Sequence, residues 1–378
     1  MVESTVESTR RPKFEFADGL RAIAALSVAT LHATTFTGHL GDADEQLPVI
    51  ARLAELGNYA VPVFITLSGY VLMLPVARTA NFELRGGFWK YIWRRAKRIL
   101  PPYYAAIALF LLLIALAPAL QSGHDTAWGN KVPITLEGIV SHILLVHIWN
   151  PDWVYQIDGP AWSVATEWHI YFLMPLLLLP LCRWFNPWVM LGAALALGPV
   201  LTFSLPGIGS DNYWMIGLFA LGMIAALATV RGTRLPRRWI GVAAIAIAVL
   251  AAAWMLVSPP SSRPAQMVSD TVAGVAVALG LLALGRAAME DRPSLSRKVL
   301  EWRPLVGLGL FSYSIYLIHS PILALANILL LPLQLPTIVN WLLLMFGALP
   351  VAIAAAYGFF LLVERHFITS HQKRALKS

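Results

Sequence analysis

Charged residues and cysteine are scarce in this 378-residue chain. Asp, Glu, Lys and Arg together make up 13% of the sequence, whereas hydrophobic residues make up 58% and the mean hydropathy is +0.67. Soluble domains carry about 25% charged residues, so the composition indicates a polytopic membrane protein. The single cysteine, Cys182, excludes an internal disulfide, and no Cys/His spacing is typical of a metal site.

Signals for secretion, repeats and nucleic-acid binding are also missing. The N-terminal stretch MVESTVESTRRPKF is polar, and the first apolar run contains Arg21 and no small-residue cleavage site. Residues 1–15 are therefore interpreted as a disordered cytoplasmic tail, not a signal peptide. No fixed period recurs. The net charge of +8 comes without aromatic-interleaved basic motifs, and in a membrane protein such an excess marks cytoplasmic loops rather than a nucleic-acid surface.

Long apolar runs are abundant. A helix needs about 20 residues to cross a bilayer, and ten runs approach or exceed this length. The predicted fold is therefore an all-α integral membrane bundle of about ten transmembrane helices over residues 16–364. The runs lie near 19–37, 59–77, 99–119, 162–182, 187–203, 213–230, 239–257, 267–285, 305–331 and 339–363.

An eleventh apolar run, 138–149, is too short to cross, and the basic residues support this interpretation. Lys and Arg cluster in loops on the cytoplasmic side of membrane proteins. All four basic clusters share one side only if 138–149 is re-entrant or interfacial, as are its residues His142 and His147. Both termini are then cytoplasmic, in a bacterial inner membrane. The clusters are 78–98, 231–238, 286–298 and the tail 365–378; Arg52, Lys131 and Arg263 remain outside.

Two ionisable residues share one face of the first helix. Arg21 and His32 are eleven residues apart, which returns to nearly the same face and separates them by roughly 16 Å along the axis. Intramembrane charges are functional candidates by default. Alternatively, Arg21 anchors the helix at the membrane interface, and His32 forms a structural hydrogen bond to another helix. Near the third helix, Arg95 and Arg98 lie three apart and suit either topology or a cytosolic anion site.

Two further polar stripes lie on otherwise apolar helices. Ser163, Glu167 and Tyr171 are spaced i, i+4, i+8, and Ser312, Tyr316 and His319 are spaced i, i+4, i+7. Glu167 is predicted at about the depth of His32, so that the carboxylate and the imidazole form a buried pair. Structural hydrogen bonding is the alternative for both stripes.

These segments resemble the motifs of the acyltransferase-3 family of integral membrane O-acyltransferases. The resemblance extends over nearly the whole chain. It implies an integral membrane enzyme that transfers an acyl group, usually acetyl from acetyl-CoA, to a hydroxyl group of a sugar. The matching segments are DGLRAIAALSVATLH with Arg21 and His32, FITLSGYVL with Ser68, RRAKR with Arg95 and Arg98, WSVATEWHIY with Trp162, Ser163 and Glu167, and GLFSYSIYLIH with Ser312, Tyr316 and His319.

The family pattern departs here in three places. Tyr70 replaces a Phe of the second-helix motif, and Val164 replaces a Leu. Many relatives carry a C-terminal SGNH hydrolase-like domain, whereas this chain resembles the stand-alone type. Acceptors of that type include surface glycans, lipid-linked sugars and glycosylated natural products, and the sequence leaves these open.

The resemblance and the spacing together give a hypothetical mechanism. Arg21, Arg95 and Arg98 bind the phosphates of acyl-CoA as donor substrate, without a metal. His32 is the general base, supported by Glu167, and either direct transfer or an acyl-histidine is compatible. Supporting or acceptor-binding roles fall to Ser68, Trp162, Ser163, Tyr171, Ser312, Tyr316 and His319. A proton-coupled transporter or an exporter of an anionic solute is the alternative function.

Overall fold

The computed structural model describes residues 14–204 and 212–368, which are helical with no strand in either range. Ten long helices occur at the predicted positions, and a short helix, α4, lies between the third and fourth of them. The predicted run 305–331 is divided at Phe311, so a separate short helix, Arg303–Leu310, precedes the tenth long helix. The predicted all-α fold is confirmed. The helices are α1 (Phe16–Thr35), α2 (Pro48–Ala77), α3 (Gly87–Leu116), α4 (Leu136–Ile143), α5 (Ala161–Trp184), α6 (Pro187–Ser204), α7 (Met215–Arg231), α8 (Arg237–Val257), α9 (Arg263–Met289), α10 (Ser312–Leu333) and α11 (Thr337–His366).

Eight of the described helices are long and apolar enough to cross a membrane: α2, α3, α5, α6, α8, α9, α10 and α11. The two others that were predicted to span are borderline for different reasons. Helix α7 is one turn shorter than the usual span, at 17 residues. Helix α1 has 20 residues, but Asp18, Arg21 and His32 lower its hydropathy. Helix α1, which carries the candidate base His32, is therefore less apolar than the eight membrane-spanning candidates.

The eleventh apolar run does not cross the bundle. Helix α4 has eight residues, which is about 12 Å of helix, and a single turn follows at His147–Trp149. Tyr103 Oη and Tyr104 Oη on α3 donate hydrogen bonds to the carbonyl oxygens of His142 (3.2 Å) and Ile143 (2.7 Å). His142 and His147 are fully buried within the protein, and their ring centroids are 3.8 Å apart in a stacked arrangement. Their position at the membrane interface stays a prediction.

Helix α1 packs against α2 and α10, and α2 packs closely against α7. A Cβ atom on Gly69 would lie 2.0 Å from the Phe219 carbonyl oxygen, and one on Gly222 would lie 1.9 Å from the Thr66 carbonyl oxygen. Only glycine allows backbones to approach this closely. The Ser68-Gly69 segment is therefore fixed against α7, and Ser68 is available to another neighbour.

Both predicted tails lie largely outside the described residues. Only Phe14 and Glu15 of the segment 1–15, and residues 365–368 of the basic tail 365–378, are described. The cytoplasmic location of both termini stays a prediction.

Candidate active site

The imidazoles of His32 and His319 form a hydrogen-bonded pair between α1 and α10. The distance from His32 Nδ1 to His319 Nε2 is 2.7 Å, and the rings are nearly parallel with centroids 5.0 Å apart. His319 is fully buried, and its Nδ1 lies 2.9 Å from the carbonyl oxygen of Ile315. The sequence analysis assigned the two histidines to separate helices without pairing them, and the structure brings them into contact.

The hydrogen bonds of this pair define which ring nitrogens carry protons. A carbonyl oxygen only accepts, so His319 Nδ1–H donates to Ile315 and His319 Nε2 is the acceptor of a neutral imidazole. His32 Nδ1–H must then donate to His319 Nε2. In neutral His32 the remaining nitrogen, Nε2, carries a lone pair and no hydrogen bond from any described residue. It is therefore the atom able to accept a proton.

His32 lines a cavity of about 200 Å³ near the C-terminal end of α1. The cavity wall combines aromatic rings, two side-chain amides and a lysine. The Oγ atom of Ser320 also faces no hydrogen-bond partner among the described residues, although it is buried. The lining residues are Val28, Leu31, His32, Thr35, Phe36, Gly57, Asn58, Val61, Ala127, Asn130, Lys131, Tyr155, Gly159, Pro160, Trp162, Tyr316 and Ser320.

A second polar contact closes the wall beside the histidine pair. Tyr316 Oη donates to the carbonyl oxygen of Pro160 at 3.0 Å, and Ser163 Oγ lies 2.7 Å from Tyr316 Oη. The Tyr316 ring is 6.2 Å from the His319 ring. Two residues predicted on separate stripes, Ser163 and Tyr316, thus join α5 to α10 at the cavity, and Trp162 lines the same cavity.

The predicted pair between Glu167 and His32 is wrong. Glu167 accepts a short hydrogen bond from Ser68 Oγ and a 2.6 Å hydrogen bond from Tyr171 Oη. It lies one helical turn beyond Ser163, so it is farther from the cavity along α5 than the sequence estimate assumed. Counting residues from the helix ends approximated its depth, but it did not determine which neighbouring helix the side chain faces.

Two of the three predicted phosphate-binding arginines have carboxylate partners. Arg21 Nη1 is 2.6 Å from Asp18 Oδ1, one turn away on α1. Arg98 Nη1 is 2.8 Å from Oε1 of the fully buried Glu364, which also accepts from Ser314 N at 3.1 Å. The sequence did not anticipate Glu364, whose charge gives Arg98 a structural partner.

Arg95 differs from the other two arginines. Within the described residues no carboxylate pairs with it, and its buried Nε has no hydrogen-bond partner. It lines a second cavity, of about 120 Å³, at the end of the bundle where α3 begins. The charges of Arg95 and Glu167 both act on the Tyr171 hydroxyl. The lining residues are Leu72, Pro75, Val76, Glu83, Leu84, Arg85, Tyr91, Arg94 and Arg95.

Ser312 has a local structural contact. Its Oγ donates to the carbonyl oxygen of Gly309 at 2.9 Å, and Ser312 does not line the cavity that contains His32. No group of three or more His, Cys, Asp or Glu side chains able to hold a metal occurs within residues 14–204 and 212–368.

Lys131 and Asp158, in the connection between α3 and α5, are not among the predicted site residues. Lys131 lines the histidine cavity, and Asp158 is 1% exposed with neither carboxylate oxygen hydrogen-bonded to a described residue. Burial lowers the pKa of Lys131 to about 8 and raises the pKa of Asp158 well above its usual range. One signal was available, because Lys131 is among only three basic residues on the predicted outer side.

Comparison with known proteins agrees with this architecture. The chain is 27% identical over 329 residues to acyltransferase MdmB of Streptomyces mycarofaciens, covering 80% of this chain and 76% of that protein. It is 27% identical over 331 residues to a protein of Komagataeibacter xylinus named as membrane-bound transacylase BcsY, covering 83% and 74%. No solved structure matches.

The family model described as an acyltransferase domain, acyltransferase 3, matches residues 14–357. This range extends from the start of α1 into α11 and includes both cavities and the histidine pair. The chain therefore belongs to the acyltransferase-3 family and is a multi-pass membrane acyltransferase.

Proposed function

We propose that the protein transfers an acyl group, acetyl in the simplest case, from acyl-CoA to a hydroxyl group of a sugar-containing acceptor. One observation carries this proposal: the hydrogen bonds of His32 and His319 leave Nε2 of a cavity-lining imidazole as a proton acceptor. The proposed location is a bacterial inner membrane.

The chemistry of the larger cavity supports a sugar acceptor. Tyr155 and Trp162 offer aromatic faces, and Asn58 and Asn130 offer amide groups that both donate and accept. Such a mixture suits a polyhydroxylated ring with an apolar face. A hydroxyl group of the acceptor would also satisfy Ser320 Oγ, since buried polar atoms are nearly always hydrogen-bonded.

The smaller cavity supports an anionic donor. Three arginines line it, against one carboxylate, Glu83. Guanidinium groups bind phosphates through paired hydrogen bonds, and the buried Nε of Arg95 lacks a partner within the protein. We assign the phosphates of coenzyme A to Arg95 and its neighbours, with Arg21 and Arg98 in supporting positions.

In the proposed reaction His32 first accepts a proton and later returns it. Nε2 takes the proton of the acceptor hydroxyl as its oxygen bonds to the thioester carbonyl carbon. The tetrahedral intermediate then collapses, the C–S bond breaks, and the coenzyme A thiolate takes the proton from Nε2. An acyl-histidine on the same nitrogen is the covalent variant, and rapid-quench trapping of labelled protein distinguishes it from direct transfer.

The test of this function uses purified protein, labelled acetyl-CoA and the glycan and lipid-linked sugar fractions of the host. We expect release of free coenzyme A together with label in one fraction, and neither with the His32→Ala variant. Repeating the assay with longer acyl-CoA donors defines the acyl group. Absence of coenzyme A release with every fraction, from protein that is folded, would refute the proposal.

Arg95→Ala is expected to raise the KM for acyl-CoA and to leave the acceptor KM nearly unchanged. Losing a charge-assisted hydrogen bond costs about 1.5–3 kcal/mol, which corresponds to a roughly 10- to 150-fold increase. Steady-state kinetics with each substrate varied in turn measures it. Lys97→Ala, which removes an exposed charge two residues away, is the matched control. An unchanged KM for acyl-CoA would indicate that Arg95 does not bind the donor and serves only to set the membrane topology.

His319 is proposed to orient His32 rather than to touch substrate. His319→Leu removes the acceptor for His32 Nδ1–H, and we expect kcat to fall by roughly 10–100-fold, as for other groups that orient a functional histidine. Gln can place an oxygen near the position of Nε2, so His319→Gln is expected to recover much of the loss. Equal losses in both variants would instead favour His319 as the base itself.

A further inference from the structure

The larger cavity holds a cation that the proposed mechanism has not used. Among the described residues that line the cavity, Lys131 is the one with a lysine, arginine or carboxylate side chain, and it shares the cavity with His32. It also acts electrostatically on His32. Lys131 lies in the connection between α3 and α5, at the cavity where the hydroxyl acceptor is proposed to bind.

The Lys131 ammonium is held in one position. It donates to the Ala127 carbonyl oxygen at 2.9 Å and forms a short hydrogen bond with Asn130 Oδ1. It also lies 5.7 Å from the Phe36 ring centroid and 5.9 Å from that of Tyr155. An ammonium group has three N–H donors, and these two contacts leave one for a ligand.

Its aliphatic chain is confined as well. A Cβ atom on Gly159 would lie 2.8 Å from Lys131 Cε and 3.3 Å from Nζ, so the absence of a side chain at Gly159 is what lets the lysine reach this position. The Lys131 backbone is fixed to the same segment, because Ile157 N donates to its carbonyl oxygen at 3.2 Å.

The neighbouring carboxyl group does not neutralise the ammonium by direct contact. Asp158 is adjacent to Gly159, but no described residue forms a hydrogen bond to either of its carboxylate oxygens. Burial raises the pKa of Asp158 well above its usual range, and this effect outweighs the opposing charge of Lys131. Because Asp158 forms no hydrogen bond to the ammonium, the third N–H of Lys131 remains available to a ligand in the cavity.

We propose that Lys131 is a catalytic residue of the acyl transfer, whose free N–H stabilises the oxyanion formed on the thioester carbonyl oxygen. This inference rests on the proposed function. Because the base and the hydroxyl are in this cavity, the carbonyl carbon under attack must be there too, and negative charge develops on its oxygen. Lys131 donates a hydrogen bond to that oxygen and transfers no proton. A fixed donor in a site of low dielectric constant is worth more than in water.

The decisive variants are Lys131→Met and Lys131→Arg, assayed in the full-length protein with water as the acceptor as well as with sugar. The oxyanion is the same for both acceptors, so Lys131→Met is expected to lower kcat for both acyl-CoA hydrolysis and transfer by roughly 10²-fold. The KM for the acceptor is expected to stay within about threefold of the wild-type value. Arg52→Met, an exposed charge loss on the same predicted side, is the matched control and is expected to have no effect.

The pH profile gives a second readout. Lys131 must be protonated to act, and burial lowers its pKa to about 8, so kcat is expected to fall as pH rises through that value. Arg does not titrate in this range, so Lys131→Arg should retain activity at alkaline pH. The titratable groups near Lys131 are Asp158, His32 and Tyr155, and the charge of an ionised Asp158 raises the pKa of Lys131.

Gly159→Ala keeps the charge but displaces it, and a reduced kcat is expected there too. A Lys131→Met protein that hydrolyses and transfers normally would overturn the inference while leaving the proposed function intact. A loss confined to anionic acceptors would also overturn it, in favour of charge recognition. Folded starting protein that releases no coenzyme A with water or sugar would overturn both proposals.

Discussion

His32→Ala is expected to reduce acyl transfer by a factor of about 10²–10⁴, the range typical for loss of a general base. The physical reason is that His32 Nε2 is the proton acceptor left free by the hydrogen bonds with His319 and Ile315. Turnover is measured as coenzyme A released from acyl-CoA by the purified variant. Donor binding, followed by equilibrium dialysis with labelled coenzyme A, is expected to persist because Arg95 lies in the other cavity.

His39→Ala is the matched control for this experiment. His39 is exposed just beyond the end of α1, and its Nδ1 lies 3.3 Å from the His124 carbonyl oxygen. Its removal deletes an imidazole from the same side of the protein without touching the histidine pair. Near-normal turnover in His32→Ala would end the mechanism, and loss of donor binding in that variant would instead indicate misfolding.

Arg98→Ala is expected to lower the free energy of unfolding by about 3–5 kcal/mol, because it leaves Glu364 charged, fully buried and without its cationic partner. Unfolding of the purified protein by heat or by a denaturing detergent measures the change. The double variant Arg98→Met, Glu364→Gln is expected to recover part of the loss. It removes both charges, and the glutamine oxygen can still accept from Ser314 N.

Lys97→Ala controls for the loss of a positive charge next to Arg98, since Lys97 is exposed. A role for Arg98 in donor binding alone would give a different result: unchanged unfolding with a raised KM for acyl-CoA. Both effects together would mean that the ion pair with Glu364 also shapes the donor site.

Much of the fold could be predicted from the sequence because the bilayer imposes length and polarity on each helix. Each of the ten apolar runs contains one of the ten long helices, although the run 305–331 is divided at Phe311, and the segment 138–149 was recognised as too short to cross. Helix α1 was predicted from the apolar run 19–37, although its polar residues Arg21 and His32, which belong to the candidate site, lower its hydropathy. Helical spacing and the family resemblance identified these two residues as site candidates.

The partners within the site could not be predicted in the same way. Spacing places residues on one face of a helix, but it does not specify which other helix that face meets. Glu167 was therefore assigned to His32, whereas it bonds to Ser68, and Arg98 was assigned to phosphate although Glu364 is beside it. Lys131 was hidden by its position in a connection, where a lysine is usually solvated.

The crossing of α2 and α7 constrains which substitutions the protein can accept at Gly69 and Gly222. Alanine at Gly69 alone, or at Gly222 alone, would collide with the backbone of the other helix. Once one alanine has pushed the helices apart, the second meets less resistance, so the two costs do not add. Evolution at this crossing is therefore epistatic: each glycine is hardest to replace while the other is still present.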